Sequence, residues 1–490
     1  AGDQKLNGTA GDDLIDGFSG NDSIAGLDGD DIIIGGDGND SIDGGLGSNR
    51  IFGDAGHDTI TSSGIDTIDG GDGNNSITIT GTAKGGTYTS GSGNDSYTVK
   101  TGATGTYTIT SAGGNNSFDI QADINAGINI SALNGTNTIK SLSRVSTIKT
   151  GREDDQIILG RGSSSGIFSG AGNDYVELRG LLGQNWDTRG TNNIWLGDGD
   201  DVSRLYGGTQ IVGNYVNGHS WDNGVNGENG NDSIYLAGNA NYGYANGGQG
   251  DDLIDATQAN DTRVLNGDTG NDSIYGSRGD DNIFGRHDHD LLEGGDGNDN
   301  IHGGDDNDSI FGQKGDDNLF GNAGGDTLDG GTGSDKAQGG SGTDTFYASA
   351  GNDTFYGGIS TAKNTDENEL DIIIFSGIAS DYAISRATDV TFGYVYYIQD
   401  KRVGSPDGID TLYDIDLVQF SDGSGGIPDE TPSFIDTSLQ LQYLASSFSK
   451  ELVSTSNGSL KALALDTENI TYGPANTRGI YGSLAITTDG

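Results

Sequence analysis

Large apolar residues recur along this chain at a fixed interval, not in helical or simply alternating runs. Between residues 267 and 356 one stands every nine positions: Ile274, Ile283, Leu292, Ile301, Ile310, Leu319, Leu328, Phe346 and Phe355, with Ala337 the one small member. Two residues before each is an aspartate: Asp272, Asp281, Asp290, Asp299, Asp308, Asp317, Asp326, Asp335, Asp344 and Asp353. The same frame opens the chain, with Ile15, Ile24, Ile33, Ile42, Ile51 and Ile60 following Asp13, Asp22, Asp31, Asp40, Asn49 and Asp58. A period of nine fits neither a helix nor a long strand; it marks a structural repeat. In Gly294-Gly295-Asp296-Gly297-Asn298-Asp299-Asn300-Ile301-His302, glycine holds positions one, two and four, where it permits the positive φ of a tight turn. Positions seven to nine then form a short strand whose aliphatic residue points inward. Two such units make one coil of two strands and two turns, so position-six residues at i and i+18 fall one above the other. The pattern predicts an all-β chain, a right-handed parallel β-roll or β-helix solenoid.

The frame loses one residue at Asp66 and Ile68 and resumes at Asn75 and Ile77. Beyond Asn75 the motif returns only at Asp95, Asn116, Asn137, Asp155, Asp174 and Asn192, at spacings of 20, 21, 21, 18, 19 and 18. Further on, Asp232, Asp252 and Asp272 are 20 apart. The motif therefore occupies one edge, and its asparagines carry no charge to neutralise. These spacings predict three stretches: an N-terminal roll at 1–75, a wider, metal-poor parallel β-helix at 76–266, and a C-terminal roll at 267–358. Proline is absent before Pro406, and the nonapeptide stops near Gly358. Strand-like runs at 370–375, 382–385, 390–399 and 412–420 predict a small β module over 370–426. In the tail, 427–490, the stripe Leu441, Leu444, Ala445, Phe448 and Leu452 predicts a helix over 437–453, a docking element or a secretion signal.

Composition changes the picture mainly through charge. The 24 Lys and Arg face 73 Asp and Glu, a formal charge of −49; only nine of the acids are Glu. A phosphate backbone would be repelled, so nucleic acid is no partner. There is no cysteine, which removes disulfides, thiolate zinc sites and thiol nucleophiles. No apolar run is long enough for a transmembrane helix. Low hydrophobicity with high charge ordinarily reads as disorder. Here the aspartates are placed at fixed positions, and a stack of carboxylates repels itself unless cations lie between its members. Ca²⁺ suits such a stack, since it takes six to eight oxygen ligands at about 2.3–2.6 Å in flexible geometry, and the turns offer carboxylates and carbonyls. The candidate ligands are Asp13, Asp22, Asp31, Asp40 and Asp58, then Asp232 and Asp252, then the ten aspartates from Asp272 to Asp353. Pairing turns two repeats apart gives about 15 ions.

These nonapeptides resemble the RTX repeat, G-G-x-G-x-D-x-U-x with U a large aliphatic residue. The run from Ile374-Phe375-Ser376-Gly377 to Val418-Gln419-Phe420-Ser421-Asp422-Gly423 resembles a β module that follows such arrays. The resemblance implies calcium in the turns, secretion, and a place outside the cell or on its surface. The chain looks like the RTX-type surface-layer and oscillin-like coat proteins of bacteria and cyanobacteria. The expected protein is an extracellular calcium-binding structural protein that folds on export and self-assembles into a surface layer, sheath or filament. It would be a head-to-tail homopolymer, its N-terminal coil meeting the C-terminal module, with cell-surface polysaccharide as a further partner.

Two other classes stay open: the calcium-folding part of a longer secreted toxin, adhesin or hydrolase, and a carbohydrate-active β-helix. For the last, Arg144, Arg152, Glu153, Asp154 and Asp155 fall within two coils. No H-E-x-x-H occurs. Gly162-Ser163-Ser164-Ser165-Gly166 matches a nucleophile motif only formally, in a repeat loop with no helix after it. No catalytic residue is expected, and no cofactor besides calcium.

Overall fold

The structure, a computed structural model, describes residues 2–121, 125–142, 145–160, 166–179, 194–206, 224–242, 244–262, 264–358, 369–404, 406–426, 451–456 and 459–464. The chain divides into two compact units, Ala1–Gly279 and Asp280–Gly490.

In the first unit the nonapeptides stack as the period requires. Leu14–Asp16 pairs in parallel with Ile32–Asp37, Ile15 beside Ile33, and Ser23–Ala25 pairs with Ser41–Asp43, Ile24 beside Ile42. Each coil thus contributes one strand to each of two parallel sheets. The inward residues Ile24, Ile42 and Ile60 of one sheet and Ile33 and Ile51 of the other are at most 2 % exposed and form two facing columns of aliphatic packing. Arg50–Ala55 meets Asp66–Asp69 with Ile51 beside Ile68, so the lost residue in the frame shortens one coil without breaking the register.

Beyond this the coils widen. Gly86–Ser90 pairs with Thr104–Ser111, Tyr88 beside Ile109, and Ser96–Val99 with Ser117–Ile120, Tyr97 beside Phe118. The longer coil encloses more cross-section, and aromatic rings fill it. Tyr97 and Phe118 stack with centroids 5.0 Å apart, and Tyr88, Tyr97 and Tyr107 are fully buried. A buried phenol needs a partner. Tyr97 donates to Ser90 Oγ at 2.8 Å, and Tyr107 to the Thr104 carbonyl at 2.7 Å.

In the second unit Asn282–His287, Asn300–Asp305, Asn318–Ala323 and Lys336–Ser341 stack in parallel, as do Leu291–Asp296, Ser309–Lys314 and Thr327–Asp329. The segment after the repeats continues these sheets. Ile372–Phe375 pairs in parallel with Thr345–Tyr347 and then with Leu417–Phe420; Ile409–Tyr413 pairs in parallel with Thr354–Tyr356. An antiparallel hairpin, Tyr382–Asp389 with Gly393–Asp400, covers the edge of Ile409–Tyr413.

The predicted helix over 437–453 falls outside the described residues except at its last three. Those belong to the strand Glu451–Ser456, paired antiparallel with Ser459–Ala464, Leu452 opposite Leu463. Cross-strand pairing there satisfies the backbone that a helical turn would have used. Among the described residues the one helical element is the 3-10 turn Ala379–Asp381, and no helix is long and apolar enough to cross a membrane.

Candidate metal centre

One hydrogen bond is repeated along both units. The amide nitrogen of each position-six residue donates to Oδ1 of the position-six residue on the next coil. In the first unit it runs from Asp22 through Asp40, Asp58, Asn75, Asp95, Asn116, Asn137, Asp155, Asp174, Asp201, Asp232 and Asp252 to Asp272, at 2.6–3.2 Å. The opposite column runs Asp13, Asp31, Asn49, Asp66. In the second unit the columns are Asp281, Asp299, Asp317, Asp335, Asp353 and Asp290, Asp308, Asp326, Asp344. The bond fixes one carboxylate oxygen of every member. What meets the other oxygen, Oδ2, divides the turns into three kinds.

In the first kind nothing meets it. Oδ2 of Asp22, Asp31, Asp40 and Asp58, of Asp174, Asp201, Asp232 and Asp252, and of Asp299, Asp308, Asp317, Asp326, Asp335 and Asp344 is buried without a hydrogen-bond partner. A buried carboxylate oxygen left in this state costs free energy. Position-one glycine sets the space beside it. A methyl built on Gly303 would stand 2.2 Å from Asp308 Oδ2 and 2.8 Å from the Gly321 carbonyl oxygen; on Gly17 it would stand 2.5 Å from both Asp22 Oδ2 and the Gly35 carbonyl oxygen. Any side chain would fill an oxygen-walled cradle, which explains why glycine is required there. Position two adopts positive φ, as at Gly36 (99°) and Gly295 (109°), and turns the carbonyls inward.

In the second kind asparagine replaces the aspartate, and its Nδ2 donates into the same turn. Asn49 reaches the Gly44 carbonyl at 2.9 Å, Asn75 the Gly71 carbonyl at 3.0 Å, Asn116 the Gly114 carbonyl at 2.8 Å and Asn137 the Gly135 carbonyl at 2.6 Å. In the third kind a hydroxyl or amide covers Oδ2: Ser62 on Asp66 at 2.5 Å, Ser90 on Asp95 at 2.5 Å, and the Gly151 amide on Asp155 at 3.3 Å. Turns of these two kinds are self-sufficient. Among the described residues they fill the long column from Asn75 to Asp155.

Burial shifts the carboxyls of Asp58, Asp201, Asp252, Asp299 and Asp308 upward, against the pull of the backbone amide and with help from neighbouring carboxylates. Asp58 and Asp308 rise to about 7, and Asp201, Asp252 and Asp299 to about 8. Left alone, these groups would take up protons; a divalent cation would keep them ionised.

The proposed ligands Asp22, Asp31, Asp40, Asp58, Asp232, Asp252, Asp299, Asp308, Asp317, Asp326, Asp335 and Asp344 all sit in uncovered turns. Asp272, Asp281 and Asp290 are buried in the same columns. Asp13 and Asp353 differ: Thr9 donates to Asp13 Oδ2 from its amide at 2.6 Å, and Ser349 Oγ lies 3.4 Å from Asp353 Oδ2. Asp174 and Asp201, which are not among the candidate ligands read from the sequence, sit in uncovered turns as well. The spacing leads from Asp174 to Asn192, which lies outside the described residues; in the structure the column runs from Asp174 to Asp201, 27 residues on. The insertion between them hides the period, although Gly197-Asp198-Gly199-Asp200-Asp201 spells the turn. Arg144 lies outside the described residues. Glu153 and Asp154 are tied to the backbone, Glu153 Oε2 accepting from Gly135 and Asp154 Oδ1 from Asn173.

Residues 1–33, 25–60, 61–78, 244–262, 264–292, 293–328 and 329–359 match the family described as RTX calcium-binding nonapeptide repeat. These are RTX calcium-binding repeats. The matches stop at residue 78, where the coils widen, and resume at 244. No curated protein matches the chain. A crystal structure of a hyperactive, Ca²⁺-dependent, β-helical antifreeze protein from an Antarctic bacterium is similar at 17 % identity, over 86 % of this chain and 95 % of that one, with a TM-score of 0.31. Among the described residues no three His, Cys, Asp or Glu side chains gather around one point. In the RTX turns the donor set is instead carboxylate oxygens from successive coils with glycine carbonyls between them. Those hard oxygens fit Ca²⁺ and offer nothing to a metal that prefers sulfur or imidazole.

Proposed function

We propose that this calcium-binding β-roll protein is an extracellular structural protein that folds when it meets calcium and then assembles with copies of itself. The observation carrying the proposal is the column of buried, uncovered Oδ2 atoms. Each has a cost without a cation and a use with one. Cytoplasmic calcium would leave the chain unfolded and exportable, and the millimolar calcium outside would fold it by mass action. Secretion is typical of RTX repeat proteins.

Self-assembly is supported by where apolar side chains face water. Leu14 and Phe18 in the first roll are 73 % and 67 % exposed, and Leu27 and Leu46 are about half exposed. Phe18 and Leu27 hold their turn positions at φ of 65° and 78°, a conformation costly for bulky residues. The second unit fills its comparable turns with polar residues, Arg286, Gln313 and Asn322. Large residues kept in a strained, solvated position suit a contact surface, and an unneutralised acidic chain would repel its copies until calcium reduces the charge.

Light scattering of the full chain tests this. Assembly that grows in millimolar calcium, reverses with chelator and is lost in a Phe18→Ser, Leu27→Ser variant supports the reading. A chain that stays monomeric at high concentration in calcium contradicts self-assembly and leaves calcium binding standing.

A further inference from the structure

The carboxylate columns do not end with the repeats. The Asp344 amide donates to Oδ1 of Asp371 at 3.0 Å, 27 residues on, and the Asp353 amide to Oδ1 of Asp410 at 3.0 Å, 57 residues on. This is the bond that links every coil of the array, now made to residues outside any nonapeptide. Asp371 precedes and Asp410 lies within strands that extend the array's sheets, Ile372–Phe375 and Ile409–Tyr413.

The second oxygen of Asp410 repeats the uncovered state as well, and that of Asp371 borders the same kind of cradle. Asp410 is 0 % exposed, and its Oδ2 has no hydrogen-bond partner. Asp371 is 1 % exposed. A methyl built on Gly357 would stand 2.4 Å from Asp371 Oδ2 and 2.1 Å from the Asp414 carbonyl oxygen. That is the cradle found at Gly303 and Gly17, with the Asp414 carbonyl in place of a glycine's.

The neighbouring acids show what a supplied cation looks like here. Arg402 Nη2 is 2.6 Å from Asp407 Oδ2, and Arg402 Nε is 3.0 Å from both oxygens of Asp400. Ser376 Oγ and Tyr382 OH also donate to Asp407. Asp400 and Asp407 therefore have their countercharge within the fold. Asp410, three residues after Asp407, has no hydrogen-bond partner on Oδ2, and its Oδ1 faces the array instead.

We infer that Asp410 and Asp371 are calcium ligands, Asp410 sharing an ion with Asp353 and Asp371 sharing one with Asp344 and the Asp414 carbonyl. These two ions would fasten the segment after the repeats to the array, so that the segment orders when the array binds calcium. The inference rests on the calcium reading of the RTX turns.

The test is long-wavelength diffraction from crystals of the full chain grown in calcium. Anomalous peaks beside Asp410 Oδ2 and Asp371 Oδ2, at the oxygen distances of Ca²⁺, are expected. Peaks at Asp299 and Asp308 with none at Asp410 or Asp371 overturn this inference and leave the array reading intact; no peaks anywhere overturn the array reading too. In solution, Asp410→Asn and Asp371→Asn each keep the acceptor for the array amide and should each lose one bound calcium by equilibrium dialysis. An unchanged count in both folded variants overturns the assignment. If a variant fails to fold, the wild-type peaks still decide.

Discussion

Asn116 donates from Nδ2 to Oδ1 of Asn137 on the next coil, 2.9 Å away, and to the Gly114 carbonyl of its own turn at 2.8 Å. The amide thus stands where an RTX turn has a bare carboxylate oxygen. One residue type closes the turn with its own donor; the other leaves it open for a cation.

Exchanging the two kinds of residue should separate stability from calcium. Asn116→Ala strips the donor from buried carbonyls and should cost about 1–3 kcal/mol, with bound calcium unchanged. Asp308→Asn should instead lower bound calcium, by one or two ions, since its turn serves the coils on either side. Dialysis against calcium, with urea unfolding of both variants, checks this. Equal calcium loss from the two would refute the division into open and closed turns.

The position-one glycines make a second prediction. Gly303→Ala would place a methyl 2.2 Å from Asp308 Oδ2, in the cradle, and should weaken or abolish local calcium binding. Gly113→Ala, whose methyl would meet nothing nearer than 4.0 Å, should bind calcium as the parent does. A calcium-competent Gly303→Ala would show that the cradle is not the ion's seat.

The calcium-free chain should respond to pH in the reverse of the usual sense. Asp308 titrates at about 7 and Asp299 at about 8 when folded, against 3.8 when exposed, because burial disfavours their charge. The folded form then binds more protons than the unfolded form between about pH 4 and 8, so stability falls as pH rises through that window. Acidifying a chelated sample from pH 8 to pH 5 should therefore increase its structure. With calcium bound the carboxylates are ionised, protons compete with the ion, and the same acidification should weaken the fold. Far-UV circular dichroism across that range, with and without chelator, reads both slopes; slopes of the same sign would contradict the account.

The nine-residue period made the columns from Asp22 to Asp58 and from Asp281 to Asp353 legible, because every coil there has the same length. It failed where coil length changes. Asp201 lies 27 residues beyond Asp174 and Asp410 lies 57 beyond Asp353, so the regular step of one coil does not find them, although each stands at the start of a short strand in register with the last. The neutral asparagine turns were legible from charge alone. The covered carboxylates were not: that Ser62 would close Asp66 and Ser90 would close Asp95 depends on hydroxyls four and five residues upstream pointing inward. Of the stripe that predicts a helix, only Leu452 lies in the hairpin Glu451–Ser456 with Ser459–Ala464, where it stands opposite Leu463, a cross-strand partner that local spacing does not announce.

The central claim is that buried aspartate columns make folding conditional on calcium. Far-UV circular dichroism of the full chain at neutral pH, titrated from excess chelator to millimolar calcium, tests it most directly. The account predicts a largely unfolded spectrum without calcium and a cooperative gain of β signal as calcium rises, reversed by chelator. A complete β spectrum in chelator, unaltered by added calcium, would contradict it.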